Sequence, residues 1–269
     1  MNDLVPPLPK HATSTILQFL RAHALPPAAE GVVVGLSGGI DSAVCARLAV
    51  DALGASRVLG VLLPTAGFPD ALRAETEGYA ERLGIAHRTL SLDGVAETFR
   101  TLLPEVTDRV TTGNTVARVR MTVLYALARE SRRVVLGTGN KSELLLGYFT
   151  KYGDGGVDLL PVGDLYKTQL RALATELGLP RAILDRAPTA GFWEGQTDEG
   201  ELGGSYADID RILFGFEQLC RPEEIHERTG LPLEAVHRVE ERVLRSRHKR
   251  RLPPVAKLGL RTVGLDWRE

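Results

Sequence analysis

Cysteine is scarce in this chain of 269 residues: only Cys45 and Cys220 occur, far apart in sequence. That excludes a disulfide-stapled secreted scaffold and fits a reducing compartment, the cytoplasm. Uninterrupted apolar runs are short, so no segment has the length needed to span a bilayer. The opening MNDLVPPLPKHATSTILQFL has no basic patch followed by a long apolar stretch, which argues against a signal peptide. An excess of one charge is missing too. The 33 basic residues face 34 acidic ones, which leaves no general electrostatic case for nucleic acid or membrane. Lysine is rare: Lys10, Lys141, Lys151, Lys167, Lys249 and Lys257 stand beside 27 arginines. A surface that needs only positive charge can drift to arginine, but a compact point charge on a thin stem is not always replaceable by a planar fork. The six lysines are therefore the first places to look for specific work.

What the chain does have is alternation. GVVVGL (31–36) leads into a helix from about Asp41 to Leu53, RVLGVLLP (57–64) into one over 70–84, and AHRTLSL (86–92) into one starting near Asp93. A longer helix over 114–131 feeds RRVVLGTG (132–139). Near-continuous apolar strands separated by helices predict a parallel sheet covered on both faces, and crossover handedness makes it a doubly wound α/β fold. Beyond Gly147 the period fades. Residues 148–167 read as an ordered loop, 168–178 as a helix, and 187–204, with five glycines among polar residues, as a mobile loop. The C-terminal third is helical. One domain over 1–269 is expected, long enough to bury a substantial core.

LSGGIDS and LGTGNKSE both fall at the carboxyl ends of strands, where ligands bind in such sheets. No lysine follows the glycines of SGGIDS, so it is not a Walker loop, and no G-x-G-x-x-G fingerprint appears. The physics is nevertheless related. Gly38 and Gly39 allow dihedrals and close approach that other residues forbid. Their N–H groups, with the start of the next helix, form a nest for an anion, and Ser37 and Ser42 add hydroxyl donors. Asp41 would repel a bare phosphate, which points to an intervening Mg²⁺. The plainer alternative is a strand–turn–helix junction capped by Asp41 or Ser42.

SGGIDS resembles the SGGxDS loop of the ATP-pyrophosphatase superfamily, whose members cleave ATP between the α- and β-phosphates and adenylate a substrate. The loop alone does not choose among them. The stretches LGTGNKSELLLGYFTKYGDGGVDLLPVGDLYKTQLRALATELGLP, APTAGFWEGQTDEGELGGSYADID and HKRRLPP are similar to the NAD synthetases, so the resemblance runs over about residues 12–256. It implies an adenine nucleotide alpha hydrolase-like fold with a helical C-terminal part. It implies that Gly35, Leu36, Ser37, Gly38, Gly39, Ile40, Asp41 and Ser42 cradle the pyrophosphate portion of ATP, with Asp41 and Glu143 on Mg²⁺. Thr138, Lys167 and Thr189 are the matched positions for further ATP contacts, and Arg118, Lys151, Asp158, His248 and Lys249 for deamido-NAD. Read without the match, Glu143 could equally support a helix N-terminus, and Arg118 could be a solvated arginine on an amphipathic helix. Gly139-Asn140 departs from the Asp-His that follows Gly-Thr in some relatives.

The implied reaction has two steps. The nicotinate carboxylate of deamido-NAD attacks the α-phosphorus of ATP, and ammonia then attacks the acyl-adenylate to give NAD and AMP. Lys167 would stabilise the leaving pyrophosphate, and Asp154 is the candidate to bind and deprotonate ammonium; its alternative is a loop aspartate stabilising a glycine-rich turn. About 30 residues precede the first strand, too few for a fused glutaminase domain, so free ammonia or a separate partner enzyme is expected. Residues 188–204, with 65–70, are expected to order when substrates bind. A helix over 114–131 carrying apolar residues on several faces (Val116, Val119, Met121, Val123, Leu124, Ala126, Leu127) predicts a homodimer. Two rivals stand: another amide-forming or tRNA-modifying SGGxDS enzyme, and a helix-turn-helix DNA binder built from 222–251, whose basic end would reach phosphate.

Overall fold

The computed structural model of the protein describes residues 4–26, 28–193, 195–263 and 266. In chain order the elements are α1 (Ala12–His23), β1 (Gly31–Gly35), α2 (Ile40–Leu53), β2 (Val58–Leu62), α3 (Asp70–Arg82), β3 (Ala86–Thr89), α4 (Asp93–Leu102), α5 (Arg109–Glu130) and β4 (Arg133–Leu136). Then follow α6 (Lys141–Leu146), α7 (Lys167–Glu176), α8 (Arg181–Leu184), α9 (Asp198–Leu202), α10 (Tyr206–Glu217), α11 (Pro222–Thr229) and α12 (Leu233–Arg245), with a 3₁₀ turn over Ser246–Lys249. The four strands are parallel in the order β3-β2-β1-β4, as the alternation predicts.

Register explains the valine run. Successive side chains of a strand face opposite ways. Val32 and Val34 enter the larger core with α1, α2 and α7, while Val33 joins Val61, Val135 and Ala128 on the other face against α5. The chain winds outward from β1 through β2 to β3, then returns through α4 and α5 to place β4 on the opposite side of β1. The order reverses between β1 and β4. Loops leaving two such strands diverge and open a crevice, so 36–39 and 137–140 meet where a ligand is expected.

A third core, built from Leu4, Leu146, Tyr166, Ile209, Leu213, Ile225, Val236 and Val239, packs the C-terminal helices on α6. This settles how the 222–251 hairpin is used. Its apolar stripe faces that core, and Lys249 and Arg250 of its basic end turn inward while Arg245, Arg247 and Arg251 stay exposed. Arg250 donates to the Leu144, Leu145 and Val243 carbonyls, and Lys249 to those of Gly147 and Phe149 at 2.7 and 2.8 Å. Cations on the free carbonyls at the end of α6 satisfy orphan acceptors and complement the helix dipole. Among the described residues no helix is long and apolar enough to cross a membrane.

Candidate active site

Three charged side chains converge in the crevice. Lys167, the first residue of α7, is buried with its Nζ 2.6 Å from Asp41 Oδ2 and 3.1 Å from Glu143 Oε1. Asp41 lies in the first turn of α2 and Glu143 in that of α6, so three helix N-termini deliver the cluster. Burial by itself lowers a lysine pKa, but two carboxylates at contact distance outweigh it and hold the ammonium charged. Burial has the opposite effect on Glu143. Despite Lys167, desolvation and the Asp41 charge push its carboxyl up to about 7. The Lys167 ammonium also sits 5.3 Å from the centre of the Tyr206 ring, a face that favours a desolvated cation.

Asn140 ties the crevice together. Its Nδ2 donates to Asp41 Oδ1 at 2.9 Å, and its side chain caps α6 by accepting from Glu143 N at 3.0 Å. The Gly139-Asn140 departure thus supplies a contact between the two carboxylate-bearing helices. Behind them, Asp210 of α10 is wholly buried, a residue that sequence reasoning missed. It accepts from Ser142 Oγ at 2.5 Å and from both Thr168 N and Thr168 Oγ1 at 2.8 Å, while Ser142 Oγ accepts from Lys167 N. One carboxylate therefore fixes the starts of α6 and α7 relative to each other. No local pattern announces such a link, because its partners are 68 and 42 residues away.

The loop before α2 turns tightly on its glycines. Gly38 has φ of 79°, and a Cβ there would come within 2.6 Å of Leu72 and 2.8 Å of Thr76, so only glycine fits. Ser37 Oγ and Ser42 Oγ lie 3.2 Å apart, and Gly39 N donates to Ser37 Oγ. The cap residue of α2 is Gly39, with no side-chain cap, so Asp41 and Ser42 do not close the junction as an ordinary cap would. The first-turn N–H groups keep their capacity for an external acceptor.

A second group lies along α5 and the 148–158 loop. Arg118 Nε donates to Lys151 O at 3.3 Å, and Lys151 Nζ to His248 O at 2.9 Å. Lys249 reaches the Gly147 and Phe149 carbonyls, so four of the residues matched to deamido-NAD share one neighbourhood. Asp154 Oδ1 accepts from Thr150 N at 2.8 Å. Crowding by protein atoms raises its pKa against that N–H, and the residue still reaches solvent. Asp158 also anchors the loop. Its two oxygens accept from Tyr125 OH and Val135 N, at 2.9 and 2.7 Å, which fixes the loop on β4. Thr138 sits in the turn after β4, and exposed Thr189 accepts from Gly191 N.

The segment 187–204 holds more structure than its glycines announce. Thr197 caps the short helix α9, Gly203 ends it with φ of 73°, and Phe192 N donates to Gln196 Oε1. The expectation for 188–204 as a unit includes Glu194, which lies outside the described residues. Phe192 rests on Gly113 of α5, where a Cβ would come within 2.2 Å of the ring. Gly113→Ala is therefore expected to unseat Phe192. Hydrogen exchange over 189–202 should accelerate several-fold while α7 keeps its protection, and unchanged exchange would show that the ring does not hold the segment.

Two carboxylates on one nitrogen, beside a nest of N–H groups, suit Mg²⁺, which binds through one or two carboxylates plus phosphate oxygens and not through an all-protein cage.

Residues 12–253 match the family model described as NAD synthase. An NH₃-dependent NAD⁺ synthetase of Methanosarcina mazei is 46% identical over 93% of this chain and 98% of its own length. One from Hyperthermus butylicus is 43% identical over 94% and 93%. Among solved structures, NMN synthetase from Francisella tularensis superposes with a TM-score of 0.82 at 37% identity, covering 93% of this chain and 98% of that one. The NH₃-dependent NAD synthetase of Campylobacter jejuni, solved with a nitrate ion, gives 0.78 at 31% identity over 92% and 99%. With a parallel sheet reversed at β1, a glycine loop at that reversal, and a match over nearly its whole length, the chain belongs to the NAD synthase family.

Proposed function

We infer that this chain is a carbon–nitrogen ligase that converts deamido-NAD, ATP and ammonia into NAD, AMP and pyrophosphate. The observation that carries this reading is the Asp41–Lys167–Glu143 cluster at the mouth of the 35–42 loop, in a chain of this family. The loop residues Gly35 to Ser42, with Thr138, Lys167 and Thr189, bind ATP. Arg118, Lys151, Asp158, His248 and Lys249 bind the deamido dinucleotide. Asp41 and Glu143 hold Mg²⁺, which when bound neutralises phosphate charge.

In the first step a nicotinate carboxylate oxygen bonds to the α-phosphorus and the bond to the bridging oxygen breaks, with the electron pair leaving on pyrophosphate. The developing charge falls where the loop N–H groups and the Lys167 ammonium converge, so stabilisation is electrostatic and preorganised. Ammonia then adds to the acyl carbon, AMP leaves, and one proton is released. Asp154 accepts that proton or takes one from ammonium beforehand. Its raised pKa makes it a better base than an ordinary carboxylate. Residues 188–204, with 65–70, close over the substrates, because an acyl-adenylate open to water would hydrolyse. The enzyme works in the cytoplasm, on free ammonia or on ammonia supplied by a separate partner enzyme. It forms a homodimer through the exposed apolar side chains of α4 and the start of α5. A second reading, amidation of the mononucleotide, is favoured by the likeness to the enzyme named NMN synthetase.

Asp41→Asn and Glu143→Gln are each expected to cut AMP formation by ~10²–10³-fold with the fold intact. Measuring AMP release with deamido-NAD, the deamido mononucleotide and a panel of other carboxylates tests the reading. Near-normal turnover in either variant would remove that residue from the site, and preference for another carboxylate would replace the substrate.

A further inference from the structure

Arg186 precedes the segment that carries Thr189, yet its side chain points at the anion loop. One Nη donates to the Gly38 carbonyl oxygen, and the other donates to Glu75 Oε2 of α3 at 2.5 Å. The backbone of Arg186 is set from α7. Arg171, one turn beyond Lys167, donates to the Leu184 and Arg186 carbonyls at 3.2 and 3.4 Å. A chain of contacts thus runs from the Lys167 helix to the loop that faces it across the crevice.

The pairing is not one that stability alone would select. A guanidinium matched to a carboxylate for binding strength meets both oxygens with both ends of its fork. Here the fork is split, and Glu75 Oε1 is left buried without a hydrogen-bond partner among the described residues. The diverted end holds a backbone carbonyl of a glycine, which has no side chain of its own to fix it. Because a trans peptide is planar, the Gly38 carbonyl and the Gly39 N–H point opposite ways. Fixing the carbonyl on Arg186 therefore fixes the direction of the Gly39 N–H, which donates to Ser37 Oγ at 3.2 Å and so places that hydroxyl in the loop as well. The same bond polarises the peptide and strengthens its N–H as a donor.

We propose that Arg186 is a positioning residue for pyrophosphate recognition, setting the Gly38–Gly39 peptide in the orientation that binds the β,γ-phosphate half of ATP and the pyrophosphate that leaves. This rests on the reading of residues 35–42 as an anion loop. Glu75 holds the fork in place, and the link through Arg171 makes the loop geometry depend on α7. The role belongs to the ATP side alone.

The test uses the full chain and inorganic pyrophosphate, a probe that needs no dinucleotide. Arg186→Ala is expected to weaken pyrophosphate binding by calorimetry, and to lower kcat/KM for ATP, by ~10–100-fold, with KM for deamido-NAD unchanged. Millimolar guanidinium chloride should restore part of the loss in Arg186→Ala and nothing in the parent protein. Arg186→Lys should recover less than guanidinium does, because one ammonium does not span Gly38 O and Glu75. Parent-like pyrophosphate binding in Arg186→Ala overturns the proposal and leaves the synthetase reading intact. So does a loss that guanidinium fails to restore and that falls equally on both substrates. A parent chain that turns over deamido-NAD but binds no pyrophosphate also overturns it, whereas one that binds pyrophosphate and makes no NAD overturns only the function.

Discussion

Lys167→Met should reduce AMP formation by at least ~10²–10³-fold and change how stability responds to pH. Methionine keeps the length and apolar stem of the side chain but removes the one positive charge that, among the described residues, contacts both Asp41 and Glu143. The catalytic loss follows from the charge that pyrophosphate acquires as it leaves. The stability change follows from the two carboxylates that then face each other in a desolvated crevice. Breaking a buried pair by removing one partner costs about 3–5 kcal/mol when the remaining charge stays. Glu143 has a way out, since burial and Asp41 already hold its carboxyl near about 7 against the pull of Lys167. Without the lysine that pKa rises further, and Glu143 is neutral at pH 6. A carboxyl whose pKa is higher in the folded than in the unfolded chain favours folding at low pH, and loses that contribution as pH climbs through the folded value. The variant is therefore expected to lie close to the parent in thermal unfolding at pH 6 and well below it at pH 8.5. Equal deficits at both pH values would mean that the carboxylates do not share one desolvated site, and retained turnover would take Lys167 out of the chemistry.

The features visible in the sequence were those encoded in short range. The valine run, the glycine pair and the serines around Asp41 lie within one strand–turn–helix, and the structure places them as their spacing implies. Lysine rarity drew attention to Lys167, and its burial between two carboxylates gives that clue a cause. The contacts that orient the site were not legible. Asp210 in YADID reads as an ordinary helix aspartate, and its hold on Ser142 and Thr168 exists only once α10 crosses the starts of α6 and α7. Asn140 and Asp41 are 99 residues apart, and Arg186 and Gly38 are 148 apart. Element edges failed for a local reason. The sequence pattern places the start of the long helix at residue 114, yet α5 begins at Arg109. Asp108 caps it by accepting from Thr111 N at 2.7 Å, and Gly113 is kept in the helix to seat Phe192.

Replacing Leu102 and Val110 together by glutamate is expected to turn a dimer into a monomer and to raise KM for deamido-NAD. The long helix was expected to present Val119 and Val123 to a partner. Both are instead half-buried within the chain, packed with Leu92 and Val61 under the sheet, so they are poor probes of association. The side chains left in solvent are Leu102 at 69% exposure and Val110 at 50%, flanked by Val95, Phe99 and Leu103. They lie at the end of α4 and the start of α5. Covering a large aliphatic side chain is worth about 1.5–3 kcal/mol, and a two-fold axis uses each position twice. Two substitutions per chain therefore remove four such contributions and place four charges against apolar surface. A loss of even ~4 kcal/mol corresponds to ~10³ in dissociation constant. Arg118 rises from the same helix two turns further on and lies exposed beside Lys151 and His248, so loosening this face should reach the dinucleotide group before the Asp41–Lys167–Glu143 cluster. KM for deamido-NAD should rise more than KM for ATP, and light scattering should show half the parent mass. A parent protein that scatters as a monomer at working concentration, with full turnover, would remove the dimer from the function of this chain.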